Sequence, residues 1–172
     1  MLSLRPRSKC WPIRSVAADV EIEFCLALRD PNGNTLAEPG IDRVQRTESS
    51  WPSTTTIDNT LKPQTIWDPN QYFNMWSVDF GGNGLLGYAQ FPEGSGLAGM
   101  PTGAQGANSD GVVVVYSSFG LSGSGNAPYN LGRTMTHEVG HWLGLRHIWG
   151  DGGCGTDDFC GDTPESDASN RS

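Results

Sequence analysis

The chain has 172 residues, the length of one domain with a sizeable core, and a formal net charge of −8. Its early charge is all positive, at Arg5, Arg7, Lys9 and Arg14, and acids dominate afterwards, which argues against a nucleic-acid partner. No apolar run approaches the ~20 residues a membrane span needs, so none is expected. Residues 1–18 lack the apolar core of a signal peptide and read as an unstructured or artefactual start to a single domain over 19–172.

Val20 to Leu28 is rich in β-formers and reads as a strand, followed by a turn over Asp30-Pro31-Asn32-Gly33-Asn34. Residues 40–45 offer a second short strand, and the Ser/Thr-rich stretch 47–58 reads as loop. Tyr72 to Phe80 alternates as a strand, with Phe73 and Met75 on one face and Trp76, Val78 and Phe80 on the other. Leu85 to Phe91 is a short strand stopped by Pro92, as befits a sheet edge. Residues 93–110 are glycine-rich, either plain surface loop or a loop lining a substrate groove. Gly111 to Ser117 is a run of β-branched residues suited to a strand buried on both faces. After a second glycine-rich loop, Asn130 can cap a helix over 131–143. Leu131, Met135, Val139 and Trp142 or Leu143 would form its apolar face. Strands first and a helix late predict an α+β fold with helix against sheet.

That helix carries the most informative string in the chain, His137-Glu138-Val139-Gly140-His141-Trp142-Leu143-Gly144-Leu145-Arg146-His147. Histidines four apart share one helix face and can grip one ion. Glu138 is placed to reach a water on that ion, and Gly144 allows the positive φ that ends the helix and brings His147 back. Three imidazoles and an open fourth position are the arrangement of a catalytic rather than a structural zinc site. All three histidines of the chain lie in this string, so the expected metal ligands are His137, His141 and His147, with Glu138 as general base. Met135 and Trp142 read as packing residues. A second candidate site is the acidic loop with Asp151, Asp157, Asp158 and Asp162, whose hard oxygen ligands suit calcium. Cys10, Cys25, Cys154 and Cys160 allow three pairings, of which Cys154 with Cys160 is the local one. The even cysteine count leans toward an extracellular protein.

The zinc string resembles that of the metzincin peptidases, and its surroundings resemble the pappalysin, ulilysin-like branch. The residues that carry this are Asn130 to Thr134, His147 to Asp151, Asp162-Thr163-Pro164, Trp67-Asp68-Pro69, Tyr72 to Trp76, Leu86 to Pro92 and Asp110 to Val113. The resemblance implies a twisted, mostly parallel sheet with one antiparallel edge strand, packed on the zinc-binding helix. In that fold Leu85 to Phe91 would be the edge that pairs with an extended peptide. It also implies a secreted zinc endopeptidase, with calcium held by Asp158, the Gly161 carbonyl and Thr163. A cysteine at position 154 would in the family pair farther downstream. The Met-turn that follows the third histidine in metzincins has no match, and neither does the prosegment's zinc-blocking cysteine. Residues 19–172 are therefore expected to be a metzincin-like catalytic domain incomplete at its C-terminus.

The leading reading is a zinc-dependent metalloendopeptidase acting on proteins or peptides. One alternative is a truncated, catalytically weak zinc-bearing module that binds protein. Another is a zinc hydrolase acting on a non-peptide bond.

Overall fold

The computed structural model describes residues 2–4, 21–102, 106–120 and 127–169. The strands are β1 (Leu2–Leu4), β2 (Phe24–Leu26), β3 (Tyr72–Phe73), β4 (Met75–Val78), β5 (Gly87–Ala89) and β6 (Val112–Val115). The helices are α1, over residues 54–65, and α2 (Arg133–Trp142). Two small sheets form. In one, β1 lies between β2 and β3, antiparallel to both. In the other, β6 is central, parallel to β4 and antiparallel to the edge strand β5. This is the expected α+β arrangement with an antiparallel edge. Among the described residues no helix is long and apolar enough to cross a membrane.

β6 behaves as its composition requires. Val112, Val113 and Val114 are fully buried, so both faces of the central strand are covered. Tyr88 on the edge strand faces Asp58 and Lys62 of α1, while a side chain at Gly87 would face Glu138 of α2. Successive strand residues point to opposite faces, so the two helices sandwich the sheet. On the α1 side the core is Trp51, Ile57, Leu61, Trp76, Val78, Phe80 and Val113.

Several elements differ from the sequence reading. The strand expected over 20–28 contracts to Phe24–Leu26, and residues 40–45 contribute one isolated bridge, Glu38 with Ile41. The expected unstructured start supplies β1 at residues 2–4; residues 5–18 lie outside the described residues. The stretch 47–58 is not all loop. Ser53 caps α1, its Oγ accepting the Thr56 N–H at 3.3 Å, and Ile57 and Leu61 gain more from burial than the threonines lose in propensity. Pro63 cannot donate to the helical ladder, and just before it α1 widens into a π-helical stretch, Ile57–Leu61, closed by the Lys62 N–H on the Ile57 carbonyl. The strand expected over 72–80 is split by buried Asn74. Its side chain accepts the Trp67 N–H at 2.9 Å and donates to the carbonyls of Trp67 (2.9 Å) and Tyr72 (3.2 Å).

α2 is shorter than expected. Gly132 stands at its start in the left-handed conformation, so Asn130 is not the cap. Its buried face is not the apolar one. Thr134 and Glu138 are buried, while Leu131 is 60% and Leu143 37% exposed. The reason is close approach: a Cβ at Gly87 would sit 2.9 Å from both Cγ and Oε1 of Glu138 and 2.8 Å from the Val113 carbonyl oxygen. Replacing Gly87 with alanine should therefore overpack this contact, at a cost of about 1–3 kcal/mol in urea denaturation.

On the other side of the sheet Lys62 is 1% exposed. Its Nζ lies 2.8 Å from Asp58 Oδ1, donates to the Ser109 carbonyl at 3.0 Å, and sits over the rings of Tyr88 (4.6 Å) and Trp76 (5.3 Å). Burial pushes the ammonium below its ordinary value, against the opposing pull of Asp58. Replacing Lys62 with methionine leaves the Ser109 carbonyl without its donor and should cost about 1–3 kcal/mol at pH 7. Between the depressed folded value and the unfolded value of about 10.4 the unfolded wild-type chain holds more protons than the folded one. Wild-type stability thus rises with pH through that window while the variant's does not. The gap between them should widen from pH 7 to pH 10 in paired denaturation curves.

Candidate metal centre

The helix α2 ends where the sequence requires. Gly144 adopts φ +97°, its N–H donates to the His141 carbonyl, and the Leu145 N–H donates to the Gly140 carbonyl, both at 2.9 Å. This paired set of bonds is a Schellman cap. It reverses the chain so that His147 returns to the face of the helix that carries His137 and His141.

The three Nε2 atoms converge. They lie 3.0 Å (His137 to His141), 3.1 Å (His141 to His147) and 3.2 Å (His137 to His147) apart. Two tautomers follow from the partners of Nδ1. His141 Nδ1 lies 2.7 Å from the Leu145 carbonyl and His147 Nδ1 lies 2.5 Å from Asp151 Oδ1. A carbonyl and a carboxylate can only accept, so each Nδ1 donates and each Nε2 keeps its lone pair. Lone pairs aimed at one point repel one another unless a cation sits between them. A tetrahedral ion with nitrogens at 2.0–2.1 Å requires them about 3.3 Å apart, close to the spacing seen. The residues present therefore fit zinc. Among the described residues this is the only cluster of three or more His, Cys, Asp or Glu side chains able to share an ion.

The electrostatics agree. Burial, then the neighbouring imidazoles, hold His137 below its ordinary value. Burial also lowers His141, against the bond to Leu145, which pulls the other way. Both rings thus favour the neutral, ligating form. Glu138 is 6% exposed, and burial raises its carboxyl to about 7. A nearby cation would favour its ionised form.

Residues to which sequence reasoning gave no role at the triad complete the surround. Asp151, expected in the acidic calcium loop, turns instead to His147, from a strained φ of +60°. The spacing from 147 to 151 was the available signal. Trp149 stacks on the His147 ring, with centroids 4.2 Å apart and planes 8° from parallel. Phe91, at the end of the edge strand, meets His141 edge-on at 5.5 Å. Trp142 packs on Phe73 at 4.3 Å and its Nε1 donates to Asp110 Oδ1 at 2.8 Å, which suits the packing role expected of it.

Of the expected calcium ligands, Asp158 is buried, Thr163 half-buried and Gly161 exposed. Asp158 Oδ1 accepts the Cys160 N–H at 2.9 Å, and the Thr163 N–H closes a turn on the Cys160 carbonyl at 3.0 Å. Cys154 and Cys160 are free thiols, so the local bridge is not formed. Cys154 is exposed and faces Glu165 at 4.0 Å, while the backbone of Cys160 is taken up in the 160–163 turn.

Residues 56–172, more than half of the chain, match the peptidase family described as pregnancy-associated plasma protein-A. An extracellular metalloprotease of Colletotrichum graminicola is 36% identical over 138 residues, covering 78% of this chain and 44% of the relative. Extracellular metalloprotease 1 of Coccidioides posadasii is 43% identical over 117 residues, covering 61% of this chain and 40% of the relative. The chain thus spans less than half the length of these curated relatives. Mature mirolysin of Tannerella forsythia, solved in complex with a cleaved peptide, is 42% identical, with a TM-score of 0.72 over 90% of this chain and 54% of mirolysin. The shared fold is the metzincin-like α+β arrangement that the resemblance implies. With the histidine triad inside the matched stretch, the chain belongs to the pregnancy-associated plasma protein-A, or pappalysin, family of metallopeptidases.

Proposed function

We propose that this chain carries the catalytic centre of a secreted, zinc-dependent metalloendopeptidase that cleaves protein or peptide substrates. The observation that carries the reading is the convergence of three imidazole nitrogens within 3.2 Å, two of them held as lone-pair donors. His137, His141 and His147 would hold the zinc. When bound, zinc supplies a Lewis acid that polarises a carbonyl and brings the pKa of a water to about 7.

The protein's own part follows from its buried groups. Glu138, buried beside the triad and pressed against Gly87 of the edge strand, takes a proton from the attacking water and hands it to the leaving amine. The open side of β5 offers main-chain donors and acceptors to an extended peptide. Its backbone pairs with β6 beyond the strand itself, through Val115 N–H to the Leu86 carbonyl (2.8 Å) and Gln90 N–H to the Gly111 carbonyl (3.1 Å), so the edge is rigid enough to dock against. Secretion is supported by relatives that are themselves named extracellular. Calcium held by Asp158, the Gly161 carbonyl and Thr163 is the second part of the reading.

Glu138→Gln should keep zinc by metal analysis and lose roughly 10²–10⁴-fold in hydrolysis of an unfolded protein, while His147→Ala loses the zinc itself. Near-normal turnover by Glu138→Gln at full zinc occupancy rejects the residue as base; wild type that holds zinc and binds protein without cleaving it favours a binding module. For calcium, millimolar CaCl₂ should raise the melting temperature of wild type through mass action and leave Asp158→Asn unmoved. An equal shift in both rules out the Asp158 site.

A further inference from the structure

We propose that Arg146 is a positioning residue that ties the segment following the edge strand, residues 92–100, to the third metal ligand. Loading of the triad and order in that segment are then linked through Arg146 and Asp151. The inference rests on the zinc reading above and adds to it a physical connection between groove wall and metal.

Residues 91–100 touch the metal centre at three places. Phe91 packs on His141. Leu97, Pro92 and Met100 close over the turn, where a Cβ at Gly144 would lie 3.0, 3.4 and 3.8 Å from their side chains. At Gly99 the contact is polar: Arg146 Nη1 donates to its carbonyl at 2.8 Å across 47 positions of sequence. Gly99 has φ +75°, and a Cβ there would fall 2.2 Å from the Phe159 ring, so a residue without a side chain is needed to bring this carbonyl in.

The other arm of the same guanidinium turns to the metal. Arg146 Nη2 lies 3.8 Å from Asp151 Oδ2, an ion pair rather than a hydrogen bond, and the other Asp151 oxygen receives the His147 Nδ1 proton. Holding a ligand's outer nitrogen on a fixed carboxylate sets the ring's tautomer and aim. A planar guanidinium with donors in fixed directions can serve Gly99 and Asp151 together, which a lysine ammonium does less well. The tie is held from its arginine end, the Asp151 side chain being 45% exposed. The Arg146 side chain is 26% exposed, its Nε is buried, and its guanidinium lies 5.8 Å from the Phe159 ring centroid. The path runs Gly99, Arg146, Asp151, His147. Any change that orders one end must favour the other by the same factor, since such linkage is reciprocal.

The test is hydrogen–deuterium exchange on the full chain, apo and zinc-loaded, with zinc affinity measured separately by chelator competition. Wild type should show zinc-dependent slowing of exchange over 92–102 of several-fold or more. In Arg146→Leu that slowing should disappear at equal zinc occupancy, with zinc affinity weakened about 10-fold, the low end of the cost of losing an outer-shell partner. Arg146→Lys, which keeps the charge but not the fork, should recover part of the protection. Unchanged exchange of the β6 amides serves as the control that each variant is folded. Equal zinc-dependent protection in wild type and Arg146→Leu overturns the link and leaves the zinc assignment standing. Failure of wild type to bind zinc in the competition overturns both.

Discussion

Three imidazole Nε2 atoms converging on one point, two of them with their lone pairs held there, form an arrangement the chain cannot hold cheaply by itself, and the local geometry exists to impose it. A straight helix could present two of them. The third arrives because the helix stops at a residue free to take φ +97°, and because the Leu145 carbonyl released by that stop orients His141. The turn therefore brings in one imidazole and fixes the tautomer of another. Asp151 fixes that of His147 from outside the triad. Metal binding energy in such a site stabilises the fold directly, because the repulsion it relieves belongs to the folded state.

The sheet between the helices transmits this order. Its α1 face is apolar apart from Lys62, Asp58 and Tyr88; its α2 face carries Glu138 pressed against a glycine. The short loop before β6 joins the two sides. Ser109 gives its carbonyl to Lys62 and its hydroxyl to Gln90 (2.7 Å), and the next residue, Asp110, accepts from Trp142. Two adjacent residues thus fasten α1, the end of the edge strand and the end of α2. A buried polar network of this kind is worth having only when each member is satisfied, and here each named group has a partner.

How much of this could be read from the residues depended on whether spacing or environment carried the information. The triad was legible because spacings of four and six, with a glycine between, convert directly into geometry. So was β6, since four successive valines leave no polar face. The edge strand was legible from Pro92. The helix α1 was not, because the Ser/Thr-rich stretch at its start read as loop, and only burial of Ile57 and Leu61 outweighs that. Hydropathy misplaced the buried face of α2, because the space above Gly87 takes the Glu138 carboxylate and leaves Leu131 outside. Asp151 read as one acid among several; its partner His147, four residues earlier and 2.5 Å away, decides its role.

The widened turn in α1 has a consequence for how this chain can change length. The π-helical stretch inserts an extra residue between Ile57 and Lys62, and a helix turns by about 100° per residue. Deleting one position there would regularise the helix and leave Lys62 on the same face, because the wide turn already absorbs the extra residue. A residue lost or gained in α1 before Lys62 without such a turn would swing the lysine by that angle, away from the Ser109 carbonyl and the two aromatic rings. The widened turn is thus a place where a related chain can be one residue shorter and still satisfy the carbonyl at 109.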